Sequence, residues 1–583
     1  MKKIPFLVCL LLAFVSCDFS NYILKQDYDF TTVFEKSGGT ETATYPEVIE
    51  YYANLAAVYP TISLQQIGET DSGEPLHLAI YSRNKQFDLN EGRKENSILL
   101  INNGIHPGES DGIDATMMLF RDLAQDSIPL PENTIIAAIP VYNVGGALNR
   151  NSFTRTNQNG PKEYGFRGNA RNFDLNRDFI KADTKNTRSF YEIFHKVDPD
   201  VFIDTHVSNG ADYQYSLTHL FTQHNKLGGE SGNYVKIDMM PALKKALRKK
   251  KLDITPYVNV FNDIPEKGFS QFLDNPRYST GYAALWNTFG MMVETHMLKP
   301  YDQRVKGTYE VLRSMIDITD EDTKLIKKLR KDAIAGFPKK TSYQFDYEVD
   351  SSKTSTLKFK GYEGEIVKSE VTGMDRLKYD RSKPFTKDVT YYDNFKPTRE
   401  ISLPQGYIVP QAWWPIVDLL KLNRVEMKRF DKDTTLQLQV YRIEDYETTK
   451  ESYEGHYPHS NTKVSANQEK VNIRKGDFFI PINQRAGRYL MATLEPESPD
   501  SFFNWNFFDS ILQQKEGFSP YVFEDFAREF LDDHPEVEDE FLEKKKKDRD
   551  FAANWYAQLD WIHKKSEHYE KAHLRYPVFR VNR

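Results

Sequence analysis

The sequence predicts an α/β fold, because apolar runs of strand length alternate in its first half with stretches of helical periodicity. The predicted strands lie near Leu76, Ile98, Ile135, Val201 and Gly290. The predicted helices include residues 113–125 and 189–195. With 39% hydrophobic and 13% aromatic residues, the 583-residue chain has the composition of a globular protein with room for several domains. We therefore expect a layered structure with helices on the faces of a sheet.

The first segment has the layout of an export signal. It opens with Met1-Lys2-Lys3 and runs through apolar residues to Ser16-Cys17-Asp18, a run too short for a membrane-spanning helix. Small residues before a cysteine resemble a bacterial lipoprotein cleavage box, which predicts a signal peptide over 1–16, a lipid anchor to the membrane at Cys17 and a polar tether over 18–44. Plain secretion is the alternative. Either way, the mature chain is expected to be exported and to work in the cell envelope, as a periplasmic or outer-membrane lipoprotein, or outside the cell.

Three further regions follow the tether. A helix beginning at Tyr45 and a Gly- and Asp-rich hairpin at 67–76 open a domain that we place at 45–335. Alternating Tyr, Thr, Val and Lys residues then predict a β-rich accessory region over 340–500. Long charged faces predict a mainly helical C-terminal region over 501–583. These last two regions show no catalytic pattern, and the sequence assigns them no function.

Charge and cysteine content exclude several functions. The net charge is −7, from 77 basic and 84 acidic residues, so there is no support for nucleic-acid binding, which needs a basic face. The only two cysteines, Cys9 and Cys17, fall in the export segment, so the mature chain has no disulfide and no cysteine nucleophile. A Gly-x-Ser-x-Gly serine-nucleophile motif is also absent.

A metal site is indicated at the ends of three predicted strands. His106-Pro-Gly-Glu109 follows one strand, and a histidine and a carboxylate at this spacing are suitable zinc ligands. A second strand ends in His206, and a third carries Glu294. Ligands of α/β sheets lie beyond the carboxyl ends of the strands, where these side chains can meet. Each group taken alone is also compatible with an ordinary turn or strand end.

Taken in order, these residues resemble the zinc carboxypeptidase family, whose ligands are His-x-x-Glu and a later His, followed by a catalytic Glu. The segment Asp174-Leu-Asn176-Arg177 is similar to the Asp-x-Asn-Arg block of that family. The resemblance implies one Zn²⁺ per chain, a substrate carboxylate gripped by Asn176 and Arg177, and an Asp174 that orients His106. It also implies a mixed, mostly parallel eight-stranded sheet flanked by helices over 45–335.

The same resemblance implies two further site residues. The segment around Arg155 is similar to an arginine-containing segment of the family, so Arg155 would polarise the scissile carbonyl. Three other arginines lie in the same Gly- and Asn-rich stretch, namely Arg150, Arg167 and Arg171. For any single one of these four arginines, a solvated position on the surface is as good an interpretation as a role in the site. Tyr278, with Tyr282 as the second candidate, matches a mobile tyrosine that closes over the substrate.

The predicted function is that of a metallocarboxypeptidase. It would hydrolyse the C-terminal bond of peptides with a free carboxylate through a zinc-bound water, with Glu294 as general base. The chain departs from the family at Asp178, where Asn is usual, and at Thr295-His296 after the glutamate, and we expect these changes to surround the substrate pocket. Two alternatives stay open: a zinc amidase or endopeptidase acting on cell-wall peptides, and a non-catalytic lipoprotein that captures peptides or glycans.

Overall fold

The structure, a computed structural model, describes residues 27–582. The predicted signal peptide, the predicted anchor at Cys17 and the first part of the predicted tether lie outside these residues, so the export of the chain stays a prediction. Among the described residues, no helix combines the length and the apolar character needed to cross a membrane.

The chain forms two compact units. Among the described residues, the first unit comprises 27–403 together with 418–426 and 483–493, and the second comprises 404–417, 427–482 and 494–582. Residues 342–402 therefore lie in the same compact unit as the first half of the chain. The predicted division into domains at 45–335, 340–500 and 501–583 stays a prediction.

The elements of the chain up to residue 296 alternate between helices and strands. In chain order they are α1 Val33–Lys36, α2 Tyr45–Val58, β1 Ile62–Glu69, β2 Pro75–Tyr81, α3 Leu89–Glu95, β3 Ser97–Asn102, α4 Asp111–Ala124, β4 Thr134–Ile139, α5 Val144–Leu148, α6 Lys185–Val197, β5 Val201–Ser208, β6 Leu217–Phe221, α7 His224–Leu227, α8 Gly229–Tyr234, α9 Met240–Lys249, β7 Ile254–Pro256, β8 Phe269–Ser270, α10 Ser279–Leu285 and β9 Phe289–His296. The predicted helix at Tyr45 is α2, which begins with a capping box between Thr44 and Glu47.

The later elements are two helices, then mostly strands, then mostly helices. They are α11 Tyr301–Glu321, α12 Thr323–Gly336, β10 Ser342–Val349, β11 Ser355–Lys368, β12 Asp375–Tyr392, β13 Phe395–Ser402, β14 Gly406–Val409, α13 Trp414–Leu422, β15 Lys428–Arg429, β16 Thr434–Thr448, β17 His459–Ile473, β18 Phe478–Pro481, α14 Gly487–Leu494, α15 Pro520–Asp533, α16 Pro535–Lys547, α17 Arg549–Ala553, α18 Trp555–Lys565 and β19 Phe579–Val581. This order confirms the predicted β-rich region followed by helices.

The first unit is built on an eight-stranded sheet with the strand order β1-β2-β4-β3-β5-β9-β6-β7. The pairs β3/β4, β3/β5, β5/β9 and β6/β7 are parallel, while β1/β2, β2/β4 and β6/β9 are antiparallel. The predicted mixed, mostly parallel sheet is therefore confirmed. Its three central strands, β3, β5 and β9, run parallel, so their carboxyl ends lie together at one edge.

Helices cover both faces of this sheet, which is why the central strands are buried along almost their whole length and are apolar up to the edge that carries the site. On one face, Leu99 and Ile203 belong to a buried cluster that also contains residues of α2, α4, α9 and α11. Their strand neighbours point to the opposite face. There Phe202 packs against Phe190 and Phe194 of α6, with ring centroids 6.1 and 6.4 Å away.

Two smaller groups of strands complete the first unit. β11 and β12 form a long antiparallel hairpin, and the end of β12 pairs in parallel with β8. β10 pairs with β13. The second unit contains a six-stranded sheet in the order β15-β18-β14-β19-β16-β17.

Candidate active site

The candidate site begins where β3 ends. The chain turns after Asn102, and the backbone N–H of Glu109 donates to the carbonyl of His106 at 2.7 Å, which closes a turn just before α4. This turn brings both side chains to the carboxyl edge of the sheet, where each is only 3% exposed. A buried histidine and a buried carboxylate need polar partners, and each supplies one for the other.

His206 completes a group of three potential metal ligands. It lies on β5, and one ligand atom from each of His106, Glu109 and His206 lies within 4.8 Å of the others. The Nδ1 atoms of the two histidines lie 3.3 and 3.2 Å from the two carboxylate oxygens of Glu109. Ligands about 2.0–2.1 Å from a tetrahedral zinc lie roughly 3.3 Å apart. The donor set and its spacing therefore fit zinc.

Each histidine is held by a second carboxylate on the far side of its ring. The Nε2 atom of His106 lies 3.0 Å from Asp174 Oδ1, and the Nε2 atom of His206 lies 3.0 Å from Asp204 Oδ2. Such contacts fix the ring orientation and leave Nδ1 to bind the metal. The sequence interpretation anticipated Asp174 beside His106, but it missed Asp204. The signal was present, since residues two apart on a strand face the same side.

Glu294 lies directly beside the metal group. It is paired in register with His206 across the parallel strands β9 and β5. It is the only residue of β9 that is not fully buried, because its side chain faces a cavity. Burial raises the pKa of Glu294 to about 7, against an ordinary value of 4.5. A carboxylate in this range can accept and return a proton near neutral pH.

The residues predicted to hold a carboxylate lie on the same cavity. Asn176 and Arg177 belong to a single helical turn, Leu175–Arg177. The Oδ1 atom of Asn176 accepts the backbone N–H of Ser279 at 3.0 Å, so its amide nitrogen is the group left to donate to a ligand. The guanidinium of Arg177 stacks on the ring of Tyr278 at 4.6 Å. Tyr278 also lines the cavity, whereas Tyr282 is fully buried.

Arg155 and Arg167 are both candidates for the role that the sequence predicts for Arg155, which is to polarise the scissile carbonyl. Arg155 donates to Glu109 Oε1 at 3.0 Å and to Gln158 Oε1 at 2.6 Å, and it is not among the described residues that line the cavity. Arg167 does line the cavity. It donates twice to Asp174 Oδ2, at 3.0 and 2.8 Å, and 46% of its side chain is exposed. Arg167 can therefore contact a molecule bound in the cavity, whereas Arg155 contacts Glu109 and does not line the cavity.

The cavity has a volume of about 350 Å³. Its charged, imidazole and amide side chains come from the residues of the site: His106, Glu109, Arg167, Asn176, Arg177, His206 and Glu294. Asn209 and Asn259 add two further amide groups. The rest is largely apolar or aromatic: Val207, Leu220, Tyr257, Phe261, Phe272, Tyr278 and Met292, with Ser208 beside them. A cavity of this kind orients a small group by a few polar contacts and accepts an apolar side chain.

The expectation that the departures at Asp178 and His296 surround the pocket is wrong. Asp178 is fully buried, pairs with buried Lys181 at 2.8 Å and accepts from the Thr184 hydroxyl at 2.7 Å. His296 is 1% exposed, stacks on Tyr213 at 4.1 Å and contacts Asp212 at 3.1 Å. Both residues therefore stabilise the surrounding loops by filling buried polar positions, and neither lines the cavity.

Comparisons with known proteins give matches to parts of this chain. Residues 48–206 match the Peptidase_M14 family model, described as zinc carboxypeptidase. Carboxypeptidase 2 of Trichophyton rubrum is 21% identical over 494 residues, which cover 80% of this chain and 84% of that protein. Carboxypeptidase 2 of Trichophyton tonsurans is 22% identical over 428 residues, covering 68% of this chain and 72% of that protein.

Two solved structures are also similar in part. Carboxypeptidase A from Helicoverpa armigera is 15% identical, with a TM-score of 0.37, and the match covers 48% of this chain and 74% of that one. A metallo-carboxypeptidase from Burkholderia cenocepacia is 15% identical, with a TM-score of 0.38, and the match covers 48% of this chain and 70% of that one. The family match itself includes His106, Glu109 and His206 and ends before Glu294.

Proposed function

We propose that the chain is a zinc metallopeptidase that removes C-terminal residues from peptides that end in a free carboxylate, and the match of residues 48–206 to the zinc carboxypeptidase family model supports this. One observation carries this proposal. Asn176 and Arg177, which suit a carboxylate, line the same cavity as Glu294 and the three potential metal ligands.

His106, Glu109 and His206 would hold the metal. Zinc bound there supplies Lewis-acid polarisation of a carbonyl and activation of a water molecule. Asp174 and Asp204 keep the two histidine rings in the ligating orientation. All three ligands are buried, and all three line the cavity, so the cavity gives water access to them.

Glu294 acts as the proton carrier. Its carboxylate accepts the proton of the attacking water and then donates it to the nitrogen of the leaving amino acid. The position on β9 beside His206 supports this role, since the proton must move beside the metal ligands. No covalent link between enzyme and substrate is needed.

Arg167 stabilises the negative charge that develops on the carbonyl oxygen. Its guanidinium lines the cavity and is held by two hydrogen bonds to Asp174, so it is oriented before the substrate arrives. The role predicted for Arg155 stays a prediction. The contact of Arg155 with Glu109 supports a different part for it, in which it stabilises the ligand carboxylate.

Asn176 and Arg177 make the enzyme an exopeptidase. A planar guanidinium and an amide N–H group together bind a terminal carboxylate, which fixes the scissile bond one residue away. We also propose, from the export signal alone, that the chain acts on peptides outside the cytoplasm.

The test is mass spectrometry of matched peptides with free and amidated C-termini, incubated with the zinc-loaded chain and with a chelated control. Stepwise loss of single residues from free C-termini only, abolished by the chelator, is the expected result. Internal cleavage or cleavage of amidated peptides would favour the amidase or endopeptidase alternative. Binding without any cleavage would favour the non-catalytic alternative.

A further inference from the structure

The first unit contains a second cavity, which shares no lining residue with the candidate active site. Its volume is about 810 Å³, a size typical of pockets that bind small organic molecules. The residues that line it fall within 225–231 and 328–347, together with Asn287 and Arg488, and all of them belong to the first unit. A molecule bound in this cavity would leave the metal group and Glu294 free.

Positive charge dominates the lining of this second cavity, which we call the basic cavity. Five cationic side chains line it, against two carboxylates: Lys226, Lys328, Lys339, Lys340 and Arg488, against Glu230 and Asp332. Two of the cations have a carboxylate close by. Lys328 pairs with Asp332 at 2.8 Å, and Lys226 lies 3.7 Å from Asp274. The remaining excess of positive charge in a concave site favours a negatively charged ligand.

Arg488, on α14, has only neutral hydrogen-bond partners among the described residues. Its Nη1 atom donates to the carbonyl of Leu227 at 3.2 Å and to Asn287 Oδ1 at 3.1 Å. Its Nη2 atom donates to the carbonyl of Lys226 at 2.7 Å, and its Nε atom is buried without a partner in the described part of the chain. These bonds fix the position of the guanidinium but supply no opposite charge. A partly buried cation of this kind is stabilised by an anion that binds beside it.

Lys340 adds a second cation to the same wall of the basic cavity. Partial burial and the nearby Arg488 guanidinium lower the pKa of Lys340. The two positive charges therefore repel each other when the cavity holds no anion. An anion between them converts this repulsion into two attractions.

Aromatic side chains lie next to these cations. Tyr343 and Tyr347, both on β10, line the basic cavity, and so does Phe337, whose ring centroid lies 5.9 Å from that of Tyr343. Aromatic rings bury apolar surface of a ligand and stack on other rings. The cavity therefore offers a charged region and an apolar region to one molecule.

We propose that the basic cavity is a binding site for an organic anion, a molecule that carries a carboxylate or phosphate group on an apolar or aromatic body. The anionic group would lie beside Arg488 and Lys340, and the body would lie against Tyr343 and Tyr347. An inorganic ion alone would occupy only a small part of the 810 Å³, so the organic body is part of the proposal. This site goes beyond the proposed peptidase function and does not depend on it.

The test is isothermal titration calorimetry with three probes that share one ring system: 2-naphthoate, 2-naphthyl phosphate and the neutral 2-naphthamide. The protein is the full zinc-loaded chain carrying Arg177→Met, which reduces binding of anions at the candidate active site. We expect at least one of the two anions to bind at least about tenfold more tightly than the amide. The anion that binds more tightly identifies the ligand group as a carboxylate or a phosphate.

Two variants locate the binding. Arg488→Met should weaken binding of the anions by roughly 10–100-fold and leave binding of the amide nearly unchanged, since only the charged interaction is lost. Lys340→Glu should weaken binding of the anions at least about tenfold. Lys340 is partly exposed, so this second variant keeps the test decisive if Arg488→Met does not fold. The matched control is Lys378→Glu, because Lys378 is exposed and does not line the basic cavity.

Each outcome decides the proposal. Weaker binding of the anions in Arg488→Met and Lys340→Glu, with unchanged binding in Lys378→Glu, supports the site. Absence of binding, or equal affinity for the anions and the amide, overturns it. Binding of the anions that survives in both cavity variants also overturns it, because the probes then bind elsewhere on the chain.

Discussion

Asp204 Oδ2 lies 3.0 Å from the Nε2 atom of His206, two residues further along the same strand. Asp174 makes the equivalent contact with His106, although it comes from a different part of the chain. Both histidines therefore present Nδ1 to Glu109, and the potential metal group is nearly symmetric about that carboxylate. The strand supplies one supporting carboxylate and a loop supplies the other.

The first prediction concerns this supporting carboxylate. Asp204→Asn should lower zinc affinity by roughly 10–100-fold, because the histidine ring loses the group that orients it. Competition with a chromophoric chelator measures the affinity. Asp212→Asn is the matched control, because Asp212 contacts a histidine outside the metal group, His296. An equal loss in both variants would contradict the assigned role of Asp204.

The second prediction concerns the general base. Glu294→Gln should lower kcat by roughly 10²–10⁴-fold, since the amide cannot accept a proton from water. Zinc content should stay unchanged, because Glu294 is not among the three potential ligands. The measurements are steady-state kinetics and metal analysis of the same sample. Turnover at the wild-type rate would refute the proposed mechanism.

The third prediction concerns the substrate carboxylate. Arg177→Met should weaken binding of peptides with a free C-terminus by roughly 10–100-fold, which is typical for loss of a charge-assisted hydrogen bond. Binding of amidated peptides should change little. The comparison uses inhibition constants of matched free and amidated peptides. Arg171→Met is the control, because Arg171 is half-exposed and does not line the cavity.

The fourth prediction separates two arginines. Arg167→Met should lower kcat of the zinc-saturated enzyme by roughly 10²–10³-fold, as expected for loss of a donor to a developing oxyanion. It should also lower zinc affinity, because Arg167 holds Asp174 and lies 3.6 Å from Glu109 Oε1. Arg155→Met should act mainly on zinc affinity, because Arg155 contacts the ligand Glu109 and not the cavity. Kinetics and chelator competition on both variants give the answer. A larger kcat loss for Arg155→Met would restore the role that the sequence predicted for it.

The site residues that could be predicted from the sequence are those that lie on strands or directly after them. His106 and His206 follow or end apolar runs, and parallel strands bring such positions together. Arg155 and Arg167 lie in the irregular stretch between α5 and α6, where no periodicity tells which side chain faces the cavity.

The last prediction concerns stability and pH. His77 lies on β2 and is 2% exposed, and burial lowers its pKa to about 4. The folded-state pKa of His77 lies below the unfolded value of about 6.5, so the unfolded state binds a proton more readily than the folded state. The contribution of His77 to the free energy of unfolding is therefore fully present above pH 6.5 and is lost as the pH falls towards 4. At pH 5 the loss is about 2 kcal/mol, and at pH 4 and below it approaches about 3 kcal/mol.

His77→Gln should therefore reduce the fall in unfolding free energy between pH 7 and pH 5 by about 2 kcal/mol, measured by urea denaturation. Tyr45→Phe is the control, because it removes a hydroxyl 3.5 Å from His77 Nδ1 but keeps the imidazole. If His77→Gln and wild type lost the same free energy over this range, proton binding to His77 would not contribute to acid destabilisation.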